Sequence, residues 1–382
     1  MKRCIYCDEE KDEKDFSREH ILPKAIGGAL LPQNPFITDE VCERCNNISG
    51  LFIDAPFTKS WLFTNYRSSN ATKFASITPQ TTLPLFYFGV MKDLKYEDKI
   101  CECYLGPNGD RIYHFHRPYD EDDTLNIVGG APPHFKNKSL DEGFVFIFIR
   151  SDNPVWLPVV INSFTSHFKK STLYLGNGPA PKVPDSNFQN IPEKLKELHN
   201  KMKSLNGATH EVTTIMDVDL GNRFLAKLAL GLGCHFLNES YKTSEDASLL
   251  RKFMWAKKKE DRDKILIHDS GFLNSETKTF DEFLKWDGGH IINLMVSDNR
   301  LVLYTNFYGQ QGSLIQVTSN KSHWEGKING SMLFIIMPVM QRYVGPIHMV
   351  ELLAHRISDN KNSEILKLEN EIANIPPTPP LG

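Results

Sequence analysis

The sequence predicts an α+β protein: an N-terminal ββα unit stapled by two metal hooks, followed by a larger mixed α+β region. Three observations predict it. Cys4-x-x-Cys7 and Cys42-x-x-Cys45 frame 34 residues, more than the roughly 15 to 20 of a compact zinc ribbon, so the loop they close has room for a hairpin. Downstream, short β-branched and aromatic runs bounded by Gly, Pro and Asn alternate with stretches of helical periodicity. At 382 residues the chain exceeds a single usual core. The expected divisions are residues 1–60, a β-rich region over 61–180, an α+β region over 181–375 and a flexible tail over 376–382.

Four thiolates suit one tetrahedral Zn²⁺, and such a closed site is structural because no coordination position remains for substrate. Between the hooks, Asp8 to Asp15 reads as a solvated turn. Residues 18–23 read as a strand ending at Pro23, Gly27-Gly28 as a turn and Asn34-Pro35 as the return bend. Phe36 to Val41 is the second strand, and Cys42 to Phe52 begins a helix carrying Asn46.

The chemistry available in this stretch follows from its residue types. His20 is a base able to deprotonate water near pH 7, and Glu19 and Asn46 offer hard oxygens of the kind Mg²⁺ or Mn²⁺ accepts. Hydrolysis of a phosphodiester needs such a base, a cation for the phosphorane charge and help for the leaving oxygen.

Cys4-x-x-Cys7, Glu19-His20-Ile21-Leu22-Pro23, Asn34 and Cys42-x-x-Cys45-Asn46 together resemble the HNH endonucleases of the ββα-metal class, in the branch whose four cysteines hold a zinc. The resemblance covers roughly residues 1–60. It implies that His20 is the general base, that Glu19 and Asn46 hold the catalytic metal, and that Asn34 ties the hairpin loop through its amide. Glu19 stands where many members have Asp, and Asn46 where the name-giving residue is His. Asn47 and Asp54 are further oxygen donors nearby. The alternative is a zinc ribbon that binds nucleic acid or protein without catalysis, with His20 a packed histidine.

Charge does not advertise a nucleic-acid partner: the chain carries a net −3, and residues 1–50 hold seven Lys/Arg against ten Asp/Glu. Any grip on DNA must come from elsewhere. The densest basic segment is Arg251 to Lys264, placed on a helix from Ala247 to Lys259 that starts at Thr243-x-x-Asp246, and it suits either phosphate contacts or a solvated helix surface. Trp61, Phe63 and Tyr66 among Lys59, Arg67 and Lys73 suit either base stacking or a packing helix, the latter being favoured.

Strands are expected over 83–90, 99–105, 110–117, 144–150, 156–161 and 171–175. Asn108-Gly109 signals a two-residue turn that sets Cys101 opposite His116 and Cys103 opposite His114, all four on one face. Ligands so spread on flat strands make poor tetrahedral geometry, so a half-buried face of thiols and imidazoles is expected rather than a second metal site. A Pro-rich linker follows Gly178, then a charged helix over 193–204 with one apolar stripe and a more buried helix over 219–239. Gly231 and Gly233 in the latter imply close packing, because no strand precedes them to form a phosphate loop. Strands over 289–296, 300–307, 313–317 and 332–337, a turn at Asp298-Asn299 and a helix over 352–357 complete the chain.

No apolar run approaches the ~18 residues of a membrane span, and Met1-Lys2-Arg3-Cys4 lacks the apolar core of a secretory signal. Cys101, Cys103 and Cys234 cannot all pair with one another. A cytoplasmic, reduced chain without a membrane partner is expected. The region beyond residue 60 has no second catalytic motif. Its architecture is similar to that of bacterial anti-phage effectors, which implies a sensor controlling a DNA-cutting unit, an activating ligand such as a nucleotide signal, and a homo-oligomer able to cut both strands.

Overall fold

The computed structural model describes residues 1–31, 34–118, 143–181, 188–205, 212–213, 219–265, 267, 269 and 278–380. The fold is α+β, and the chain forms two compact units. One joins Met1–Thr58 to Asp217–Ile375, and the other is Lys59–Met216 with Pro376–Gly382. Among the described residues no helix is long and apolar enough to cross a membrane.

In the first unit, Phe16–His20 and Ile37–Cys42 pair antiparallel, with Glu19 opposite Thr38 and His20 opposite Ile37. The register shifts between Ser17 and Glu19, with Asp39 and Glu40 of the second strand facing Arg18 alone, a bulge of the kind that re-aims side chains beside functional sites. The helix Glu43–Ser49 follows directly and continues as a π-helical turn, Gly50–Asp54, into Ala55–Thr58. This is the expected ββα order.

A five-stranded antiparallel sheet completes the unit, in the order Gln311–Thr318, Arg300–Phe307, His290–Ser297, Ser331–Met337, Arg342–Ile347. Its central hairpin turns at Asp298 and Asn299, both in the left-handed region at φ 48° and 60°, as a two-residue type I′ connection requires. The helices Asp219–Phe236 and Glu245–Trp255 lie between this sheet and the hairpin. Phe57 stacks on Phe224 at 4.0 Å, and both meet Phe307 edge-on or tilted. Phe36 meets Phe334 at 5.1 Å. The glycines of the buried helix do pack closely: a Cβ at Gly231 would stand 2.6 Å from Ile21, and one at Gly233 2.5 Å from the Tyr241 ring.

Three expectations in this unit are corrected. The helix expected over 247–259 is Glu245–Trp255, capped by Ser244, whose hydroxyl accepts from the Ala247 N–H; Thr243 instead ends the preceding turn. Lys257 to Lys259 therefore lie beyond the helix, and Arg251 and Arg262 are buried on backbone carbonyls rather than displayed. The strand Arg342–Ile347 and the helix Ser363–Ala373 were not anticipated.

The second unit is built on a six-stranded sheet ordered Val212–Thr213, Phe86–Tyr96, Lys99–Leu105, Arg111–His116, Gly143–Phe148, Thr172–Leu175, the last pair parallel. Leu195, Leu198 and Met202 from the 193–204 segment cover one face. The helix Trp156–Thr165 covers the other. A strand was expected over 156–161, but Trp156, Val159, Val160, Ser163 and Phe164 are buried at helical spacing, a pattern that a short apolar run does not reveal. The Trp61–Phe74 helix buries Phe63 and clamps Asn65 on the Tyr87 backbone, so its aromatics serve packing. In the 376–380 stretch, expected as a loose tail, the Pro379 and Pro380 carbonyls accept from Trp156 and Asn153. The Pro-rich linker expected after Gly178 lies partly on 182–187, outside the described residues.

The expected register of the 99–105 and 111–116 strands is also corrected. Leu105 pairs with Arg111 and Cys101 with Phe115, so the connection has five residues rather than two. Asp110 leaves the ladder: its carbonyl accepts from the Gly106 N–H and its carboxylate from the Arg150 N–H. A one-residue slip exchanges the faces. Cys101 and Cys103 enter one core with Tyr113 and Phe115, while His114 and His116 lie on the opposite face with Glu102.

Candidate functional site

The four hook sulfurs lie within 4.8 Å of one another. Cys4, Cys42 and Cys45 are buried and Cys7 is half-buried. The Cys42 N–H donates to Cys4 Sγ at 3.3 Å. The Cys45 thiol, opposed by burial and helped by the N–H groups of Cys42, Cys7 and Tyr6, pulls the Cys4 thiol down to about 4, whereas burial pushes Cys7 up to about 11. Four thiols so close ionise together only around a cation, and the donor set fits one tetrahedral Zn²⁺.

The hairpin loop is pinned by Asn34. Its Nδ2 donates to the Gly28 carbonyl at 2.6 Å and its Oδ1 accepts from the Phe36 N–H at 2.9 Å. Gly28 has no room for a side chain, since a Cβ would lie 1.6 Å from the Leu22 carbonyl oxygen. Asn46, on the helix after the second hook, donates through Nδ2 to Ser17 Oγ and the Arg18 carbonyl at 2.9 and 3.0 Å. It thereby anchors the bulge, and its Oδ1 is the atom suited to a hard cation. Asn47 is exposed.

Adjacent residues of the first strand point apart. His20 is half-exposed. Burial first, then the charges of Lys24, Lys227 and Arg18, hold its pKa below the ordinary 6.5, so the imidazole is neutral near pH 7. Glu19 turns inward and is 3% exposed. Its Oε1 lies 2.6 Å from Lys227 Nζ and accepts from the Tyr6 hydroxyl at 3.3 Å. Lys227 is fully buried and its Nζ also sits 2.6 Å from Asp54 Oδ2. Burial disfavours the ammonium, but Asp54 and Glu19 outweigh it and hold Lys227 above its ordinary value. Burial pushes Asp54 up to about 6 against the pull of Lys227.

A divalent ion is thus only partly provided for. Asn46 Oδ1 fits one. Glu19 does not fit a direct ligand in this arrangement, because a buried ammonium already sits on its carboxylate. Lys227, Tyr6 and the role of Asp54 were missed in the sequence. A signal existed: Arg223 and Lys227 stand four residues apart in a largely apolar helix, and a cation there needs buried acceptors.

Residues 4–62 match a family model described as HNH endonuclease. That match implies nuclease hydrolase chemistry on a nucleic-acid substrate, and the family typically uses a divalent metal. No curated protein and no solved structure matches the chain.

Proposed function

We propose that the protein is an endonuclease that hydrolyses DNA phosphodiester bonds, with His20 as the general base. The observation that carries this reading is a half-exposed imidazole, kept neutral by burial and by neighbouring cations, within the HNH-matched hairpin that the four-cysteine cluster closes. Neutral Nδ1 or Nε2 accepts the proton of the attacking water. Arg18 and Lys24, both exposed, draw the scissile phosphate toward that face. Asn46 Oδ1 would hold a Mg²⁺ or Mn²⁺ ion, Glu19 could join it only if Lys227 released its carboxylate, and the ion would supply neutralisation of phosphorane charge and an acidic water.

Lys257, Lys258 and Lys259 are exposed in the same unit, and Lys257 Nζ lies 5.9 Å from the ring of Phe52 in the turn that follows the Asn46 helix. These lysines supply phosphate contacts that the acidic hairpin lacks. Replacing all three by Gln weakens DNA binding across sequences and reduces its salt slope by about 0.9 for each phosphate no longer neutralised; unchanged binding rejects their role.

The deciding experiment is plasmid cleavage by wild type and His20→Ala, with and without Mg²⁺ or Mn²⁺. Cleavage that needs both metal and His20 supports the proposal. A defence nuclease restrained until a signal reaches residues 61–382 is the broader form of the reading, tested by adding infected-cell lysate or nucleotides and by measuring self-association. A second reading, a zinc-stapled nucleic-acid-binding module, is favoured by the engagement of Glu19 with Lys227. It predicts salt-dependent DNA binding and no cleavage under any of these conditions.

A further inference from the structure

The second unit buries a cluster that the register places together. Glu102 on the Lys99–Leu105 strand lies directly opposite His114 on the Arg111–His116 strand, and His116 follows two residues on, on the same face. All three are buried, at 0%, 0% and 1% exposure. One potential ligand atom from each lies within 4.8 Å of those of the other two.

The hydrogen bonds around the cluster fix its chemistry. The Glu102 carboxylate accepts from the Tyr87 hydroxyl at 3.1 Å and from the Tyr104 hydroxyl at 2.6 Å. His116 Nδ1 lies 2.7 Å from the Arg117 carbonyl oxygen. A carbonyl only accepts, so Nδ1 carries the proton, as in metal-binding histidines oriented by a backbone carbonyl. His116 Nε2 then faces Glu102 Oε2 at 3.3 Å. Two electron-rich atoms held face to face need a positive charge between them.

A proton would draw the pair to the 2.7–2.9 Å of a charge-assisted bond. Two ligands on one Zn²⁺, with bonds of about 2.0–2.1 Å at a tetrahedral angle, stand about 3.3 Å apart. His114 is held by Ser171 Oγ at 3.1 Å and by the Phe164 and Phe168 rings, with centroids 5.3 and 4.3 Å away. Two imidazoles and a carboxylate suit zinc among the divalent ions.

We propose that Glu102, His114 and His116 bind a second Zn²⁺, which staples the two central strands of this sheet. Three protein ligands leave one tetrahedral position for a water, but burial of all three keeps substrate away from it, so the ion is structural and is taken up as the unit folds. The site is independent of the four-cysteine cluster and of the nuclease reading.

The test is metal content of the full chain, measured by elemental analysis after exhaustive desalting. Wild type should hold two zinc ions. The double variant His114→Gln/His116→Gln should hold one while its four hook thiols stay protected from thiol reagents. On refolding with Co²⁺, the variant should keep the near-ultraviolet thiolate-to-cobalt band and lose visible absorption from the N/O site. A second equivalent of another first-row ion at these residues supports the site and changes the ion. One ion per wild-type chain, both as purified and after refolding with excess Zn²⁺, overturns the proposal whether or not the variant folds, and leaves an imidazolium–carboxylate pair. Two ions unchanged in a folded variant overturn it as well.

Discussion

Lys227 Nζ sits 2.6 Å from Glu19 Oε1, so the carboxylate that adjoins the candidate base is paired with a cation from the most buried helix of its unit. Glu19 and Asp54 face the same ammonium, and the three groups depend on one another. Replacing Lys227 by Met leaves two buried carboxylates without their counter-charge. The expected loss is about 3–5 kcal/mol, measured by urea unfolding, and adding Glu19→Gln and Asp54→Asn should recover most of it.

Asp54 gives this cluster a pH dependence. Its carboxyl titrates near about 6 in the folded chain against an ordinary 3.8, so the native state binds more protons between those values. Stability contributed by the protonated group is present below about 4 and is lost as pH rises toward 6. The amount is about 3 kcal/mol. Unfolding of wild type and Asp54→Asn compared at pH 4, 5 and 6 should show this slope in wild type alone.

His20→Ala should lower DNA cleavage by about 10²–10⁴-fold and leave unfolding stability within about 0.5 kcal/mol, as for a surface substitution. Because the imidazole is held below 6.5, the acid limb of the cleavage profile should have its midpoint below that value, the rate rising with pH and levelling off. A midpoint above 6.5 rules out His20 as the titrating base.

Asn34→Ala removes both the donor to Gly28 and the acceptor for Phe36. A loss of about 1–3 kcal/mol is expected from the partners left unmet, with hydrogen exchange at the Phe36 amide faster than in wild type. Asn34→Asp should restore only the acceptor half.

Stripping zinc with a strong chelator should expose four reactive thiols and make the chain between Cys7 and Cys42 protease-sensitive, because coordination energy is folding energy for so small a hairpin. Thiol counting before and after chelation measures it. Protection that survives complete zinc loss contradicts a stapling role.

The hooks and the hairpin were readable because each rests on local spacing, and the pin at Asn34 because the resemblance to the zinc-bearing HNH branch implied it. What escaped was set by distant packing or by turn detail. Nothing near Glu19 announces Lys227. The slip at Asp110 came from a five-residue connection that presents the same Asn-Gly signal as a two-residue one, and it hid Glu102 behind two cysteines. Trp156 to Phe164 is apolar enough for either secondary structure, and burial against the sheet decided for the helix.

The Trp255 indole donates to the Tyr6 carbonyl and the Arg251 guanidinium to the Ile5 carbonyl across 249 and 246 residues of chain. A ribosome that has released only the first sixty residues has therefore made the HNH-matched motif but neither Asp219–Phe236 nor Glu245–Trp255, the helices against which it packs. On the proposed reading, competence to cut is delayed until well over half the polypeptide has emerged, and a prematurely terminated product carries the motif without its support.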